Sequence, residues 1–227
     1  MNAPLAIVSE PPQAGPVESL YDLAVAGGPL MVPIGLCSIV ALGYATERWI
    51  RLRPGFLGSP TFGRRVVSAV QDQGLAPALE LCEGSRGPLA RILAAGLRRA
   101  QEPFLEREKA VEDVATSEVR RLAANLRPLL LVWLVAPLLG LLGTVWGMIE
   151  AFSSIATAEG IGRPEVLASG IYKALTTTAA GLAVAIPAIV MHHFLRGRIE
   201  SFAGRSEEIY REVDHEIARR AGAGATS

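Results

Sequence analysis

Before Arg48 the sequence contains no lysine and no arginine. A cleaved secretory signal begins with a basic stretch, so the apolar block preceding Arg48 is expected to stay in the mature protein. Cysteine is scarce: Cys37 and Cys82 are the only two. They are too few for a disulfide framework, one lies in an apolar block and the other in a charged region, and they read as ordinary thiols. Net charge is missing too, because 22 basic and 22 acidic residues cancel. That balance offers no electrostatic argument for a nucleic-acid partner. The sequence also lacks a glycine-rich nucleotide loop, a Cys/His cluster at metal-ligand spacing and a serine nucleophile elbow. No catalytic residue, metal ligand or cofactor is expected, and the chain does not read as an enzyme. His192 and His193 are adjacent. Neighbours on a helix point about 100° apart, so the pair reads as interfacial anchors rather than ligands.

Apolar residues, in contrast, are plentiful. They make up 50% of the 227 residues and gather in three blocks. The first lies between Asp22 and Glu47, the second between Arg127 and Glu150, and the third between Lys173 and Arg196. A helix needs about 20 apolar residues to cross a bilayer, and each block is long enough. Each also contains Gly or Pro, which membrane helices tolerate better than soluble ones do. The expected fold class is an all-α membrane protein with three transmembrane helices. The second and third spans are expected to extend as long helices into a cytoplasmic helical domain.

Orientation follows from the basic residues. None precedes the first block, fourteen lie between Arg48 and Arg127, and six follow the third block from Arg196 to Arg220. The short connection between the second and third blocks has Arg163, with Lys173 at its far edge. Basic segments stay in the cytoplasm, and Arg48, Arg51 and Arg53 immediately after the first block weigh most. The amino terminus is therefore expected outside and the carboxyl terminus in the cytoplasm. The boundaries read as an external tail with a candidate interfacial helix over 1–26, spans over 27–46, 128–152 and 171–195, a cytoplasmic helical domain over 47–127, an external connection over 153–170, and a cytoplasmic helix and tail over 196–227.

Two stripes mark the soluble parts. Val111, Val114, Glu118, Val119, Leu122 and Leu126 recur at helical spacing, and Pro128 is expected to kink this helix near its join to the second span without ending it. Ile199, Phe202, Ser206, Ile209 and Val213 form a short heptad seam, continued by Ile217. The seam fits packing against a neighbouring helix of the same chain and equally fits contact between copies.

The second and third blocks carry small residues on one helical face. Gly140, Thr144, Gly147 and Ala151 share a face in the second, where Gly143 and Gly147 also form a GxxxG pair. Ala174, Thr178, Gly181 and Ala185 make the corresponding face of the third, with Thr176 and Thr177 adding hydroxyls. Small residues let helix backbones approach closely in lipid, where no hydrophobic drive exists. By spacing alone these residues point to a close-packed, partly polar helix bundle.

The text from Ala136-Pro137 through Gly140, Gly143-Thr144, Trp146-Gly147, then from Leu167 through Gly170-Ile171 and Ala174-Leu175 to Thr178, Gly181-Leu182 and Ile186-Pro187-Ala188, resembles the ExbB/TolQ/MotA family of proton-channel proteins. Gly28-Pro29-Leu30-Met31 with Glu47-Arg48, and Gly87-Pro88-Leu89-Ala90-Arg91 with Gly96-Leu97, add to the likeness, which covers about residues 25–215. Three spans rather than four favour the ExbB/TolQ branch. The resemblance implies a subunit of a bacterial inner-membrane motor that uses an ion motive force, with the proton as the expected ion and sodium as the alternative, to energise transport or envelope work. It implies a homopentamer whose second and third spans enclose single-span partners similar to ExbD or TolR, which carry an intramembrane aspartate. By position, the family's pore-lining threonines fall on Thr144 and Thr178. The sequence departs from the family where Lys173 replaces a frequent glutamate and where Glu150 stands at a position not usually acidic. Both fall near the external span ends, where each could instead snorkel, and are expected to approach one another, within a chain or across a subunit interface. A non-conducting scaffold that assembles a single-span partner is the alternative.

Overall fold

Proline sets where half of the described helices begin. It lacks the N–H that a first helical turn leaves unpaired, and its fixed φ suits that turn. In the computed structural model, which describes residues 25, 27–156 and 164–224, helices open on proline at α2 (Pro54–Leu57), α3 (Pro60–Asp72), α5 (Pro88–Arg98) and α8 (Pro164–Gly224). The others are α1 (Met31–Arg51), α4 (Leu75–Glu83), α6 (Phe104–Ala124) and α7 (Arg127–Ala156). Among the described residues all regular structure is helical. The expected tail and interfacial helix, apart from Val25, and Arg163 lie outside the described residues.

Among the described residues, two helical runs are long and apolar enough to cross a membrane, Phe104–Ala156 and Pro164–Arg220. The first apolar block is shortened as a helix because residues 27–30 form a turn, in which the Met31 N–H donates to the Gly28 carbonyl at 3.0 Å. Only Met31 to Thr46 is then both helical and free of charge. Pro128 has a stronger effect than a kink. Its ring would meet the carbonyl four residues back in a continuous helix, and the chain instead stops α6 at Ala124, turns through Asn125 and Leu126, and restarts with Pro128 in the first turn of α7.

The chain forms two compact units. One comprises Met1–Cys37 and Leu134–Ala185. Its α7 and α8 segments meet through small residues, and its outward side is apolar: Leu138, Leu141, Trp146, Ile149, Phe152 and Leu175 are each more than half exposed. So many exposed large apolar side chains suit a lipid or protein environment better than water.

The other unit comprises Ser38–Trp133 and Ile186–Ser227. Here α3 to α6 pack with the later part of α8 around a conventional core. Val66, Val70, Leu89, Leu93, Leu126, Leu195 and Phe202 are almost wholly buried, each contributing on the order of 1.5–3 kcal/mol. Ile199, Phe202, Ser206, Val213 and Ile217 are buried in this core, and Ile209 lies over Gly63, where an added Cβ would sit 2.7 Å from the Ile209 Cγ2. The heptad seam therefore packs inside its own chain. Glu118, the polar residue in the α6 stripe, is buried because Arg91 holds both its oxygens, Nε and Nη2 each donating at 2.7 Å. Arg107 is also buried. Its Nε and Nη2 donate to Asp214 Oδ1 at 3.0 and 2.9 Å, and its Nη1 donates to the Glu102 carbonyl at 2.7 Å. Trp49 and Phe194 stack at 5.1 Å with Arg198 over both rings. Cys37 and Cys82 are free thiols.

Candidate functional site: the small-residue helix pair and its ion pair

The face of α7 that meets α8 runs through Ala136, Gly140, Gly143, Gly147 and Ala151. Each glycine admits an atom of α8 into the space a side chain would fill. A Cβ at Gly140 would lie 3.0 Å from both the Thr177 carbonyl oxygen and the Thr178 Cα, and one at Gly147 would lie 3.1 Å from the Ala174 Cβ. At Gly143 it would collide with the side chain of Thr177. From the other side, a Cβ at Gly181 would lie 2.5 Å from the Ala136 carbonyl oxygen, and one at Gly170 would lie 2.5 Å from the Ala151 Cβ. Backbones this close replace hydrophobic drive with dispersion and polar contact.

The three threonines divide the polar work. Thr178 Oγ1 donates across the pair to the Gly140 carbonyl at 3.0 Å. Thr144 lies at the edge of the packed face, half-buried, and its hydroxyl turns back onto the Leu141 carbonyl of its own helix at 2.6 Å. Thr177 is 1% exposed, donates to the Ala174 carbonyl at 2.8 Å and approaches the Gly140 carbonyl at 3.5 Å. The third-span face expected from spacing, Ala174, Thr178, Gly181 and Ala185, does not include Thr177, which fills the Gly143 notch. The available signal was its spacing of three from Ala174 and four from Gly181. Each hydroxyl donates to a carbonyl and keeps acceptor capacity on its oxygen, and the partly exposed Thr144 and Thr178 can accept a further hydrogen bond from water or from a protonated acid.

At the other end of this interface Lys173 Nζ donates to Glu150 Oε2 at 2.6 Å, joining α8 to α7. The lysine side chain is 27% exposed and the glutamate 54%. The lysine stem passes over Gly28, where an added Cβ would lie 2.6 Å from Cε, and Gly28 has φ +70°. A side chain there would be excluded twice, by space and by left-handed backbone. The structure thus brings together Gly140, Gly143, Gly147, Gly181, Thr178 and the Glu150–Lys173 pair, while Thr144 stands beside the seam. His192 is buried with Nδ1 unpaired, and its ring meets His193 edge-on at 5.6 Å. Among the described residues no cluster of three metal-ligating side chains occurs.

Two long apolar helices, packed through glycines and carrying buried hydroxyls, define a membrane helix-pair protein. The model of the MotA/TolQ/ExbB proton channel family matches residues 85–208, more than half the chain. The biopolymer transport protein exbB1 of Vibrio cholerae is 33% identical over 176 residues, covering 76% of this chain and 77% of that protein. An ExbB-like 1 protein of Synechocystis is 36% identical over 210 residues, covering 87% and 81%. The Tol-Pal system protein TolQ of Pseudomonas aeruginosa is 36% identical over 115 residues, about half of each chain. The chain belongs to the MotA/TolQ/ExbB proton channel family, on its ExbB/TolQ branch, and is a membrane protein.

Proposed function

We propose that the chain is an inner-membrane stator subunit that, with a single-span partner carrying an intramembrane acid, passes ions and converts their motive force into work on transport or the envelope. In this reading it is not an enzyme: ions move and no covalent bond is made. Three spans place the amino terminus outside and the region after Arg48 in the cytoplasm, following the distribution of basic residues. Copies of the α7/α8 pair, five by family membership, surround the partner helices.

The observation that carries the proposal is the hydroxyl-bearing seam. The resemblance assigns Thr144 and Thr178 to the pore, and the half-burial of both leaves their oxygens within reach of a further molecule. Partner acid, water and hydroxyl would then form a short path for protons, with the flanking glycines giving the partner helices room. The Glu150–Lys173 pair fixes α7 to α8 at the external end. A second reading, a non-conducting scaffold, is favoured by the same pair, because the lysine occupies a frequent glutamate position and neutralises Glu150.

Co-reconstitution with the partner in vesicles, under a pH gradient and separately under a sodium gradient, separates the two readings. The channel predicts flux that falls in Thr144→Val and Thr178→Val variants whose assembly is intact. Absence of flux under both gradients, in a complex shown to be assembled, leaves the scaffold.

A further inference from the structure

A groove in the unit containing α3 to α5 has the chemistry of a phosphate site. Its wider part, 1150 Å³, is lined by Arg64 and Arg65 of α3 and by Arg86 just before α5. Its narrower part, 240 Å³, shares Thr61, Phe62, Arg65 and Ser85 with the wider part, so the two are continuous. Among the described residues, no carboxylate pairs with any of the three arginines, all of which are exposed, although nine other arginines are paired. Asp72 and Glu80 line the wider part only, and Arg65 is the sole charged residue of the narrow part.

Local structure adds donors to this charge. Ser59, Thr61 and Ser85 bring hydroxyls to the narrow end. Gly87, also in its lining, is the N-cap of the eleven-residue α5, whose first turn has no side-chain cap. Unpaired N–H groups at such a turn and the positive end of the helix dipole favour an anion. A guanidinium fork suits phosphate oxygens in the same way.

We propose that this groove binds a phosphate group, with Arg65 and Arg86 as the principal contacts and Arg64 at the wider mouth. The lining favours a phospholipid headgroup over a free phosphate. Gly55 and Phe56 rim the narrow end only a few residues beyond Arg51, where α1 ends, and Phe56 is 66% exposed. An apolar ring beside basic side chains at the end of a span is the arrangement that meets the acyl and headgroup boundary of an anionic leaflet. The choice of source rests on the topology proposed above; the phosphate chemistry does not.

The test uses the full chain in nanodiscs of phosphatidylcholine with roughly one-third phosphatidylglycerol, a fraction high enough to give an anionic surface. Lipid retained after detergent extraction is counted by native mass spectrometry. The wild type is expected to retain phosphatidylglycerol over phosphatidylcholine, and Arg65→Gln with Arg86→Gln to lose roughly fivefold in retention per arginine removed. Ser85→Asp, which leaves the arginines in place, should lose retention by repulsion and serves if the double variant misfolds. Inorganic phosphate supplies the other arm. Thermal stabilisation of the detergent-solubilised wild type by millimolar phosphate, absent in the variants and without lipid selectivity, would keep the phosphate site and assign it to a soluble ligand. Equal retention and equal phosphate response in wild type and both variants would overturn the proposal. Sided maleimide labelling of a Ser85→Cys, Cys37→Ser, Cys82→Ser variant in cells tests topology separately: labelling only from outside would refute the orientation while leaving phosphate binding to be judged on its own result.

Discussion

Lys173 and Glu150 are bridged at 2.6 Å although 23 positions separate them, and the bridge ties the start of α8 to the late part of α7 over Gly28. Two ionisable groups at the span ends are therefore one structural feature.

Reversing each charge alone should weaken the complex, and reversing both should restore it. An exposed pair contributes about 0.2–1 kcal/mol, more where lipid limits solvation. Lys173→Glu and Glu150→Lys are each expected to reduce oligomer yield and flux by a few-fold, with recovery in the double variant. A double variant no better than its parents would show that the bridge does not contribute to either.

The seam should rank glycine substitutions by what the new methyl meets. At Gly181 it meets the Ala136 backbone carbonyl at 2.5 Å, which cannot rotate away, whereas at Gly147 its nearest neighbour is the Ala174 Cβ at 3.1 Å. Gly181→Ala is expected to cost about 1–3 kcal/mol, as overpacking does, and Gly147→Ala less. Thermal unfolding of the purified protein measures the order; a larger loss at Gly147 would contradict it.

The buried Arg107–Asp214 pair has a different signature. Removing one partner leaves an uncompensated buried charge and costs about 3–5 kcal/mol, while replacing both with apolar residues of similar size is close to neutral. Arg107→Met and Asp214→Leu should each lower Tm strongly, and the double variant should regain most of the loss. Additive losses in the double variant would argue against coupling.

Tyr210 predicts alkaline sensitivity. Burial first, and the Asp214 carboxylate next, push its phenol up to about 12 from an ordinary 10. The folded state thus favours the neutral phenol more than the unfolded state does. That contribution is full below pH 10 and is lost as pH rises through about 12. Stability measured from pH 9 to 12 by circular dichroism should fall more steeply in wild type than in Tyr210→Phe. Parallel curves would remove Tyr210 as a cause.

The helical class was legible because apolar blocks and helical stripes are local patterns, and the packing glycines Gly140, Gly143, Gly147 and Gly181 were legible because a side-chain-free residue repeated on one face has few other uses. Less legible were the ends of elements. Whether Pro128 kinks or stops a helix depends on what Asn125 and Leu126 can do instead, and the turn before Met31 depends on a left-handed Gly28 beneath Lys173. Periodicity also left the heptad seam undecided between same-chain and inter-chain contact, since both bury the same side.

By itself the sequence determined that this chain is helical, that three blocks of it avoid charge, and that two of those blocks present small residues on one face. These are properties of spacing and side-chain size, which need no partner to be read. Only the tertiary structure decided that Thr177 rather than Thr178 fills the tightest notch, that Glu118 can be buried because Arg91 reaches it, and that Ile199 to Ile217 serve the chain's own core. Each of those outcomes depends on which distant residue arrives opposite, and distance along the chain carries no information about that.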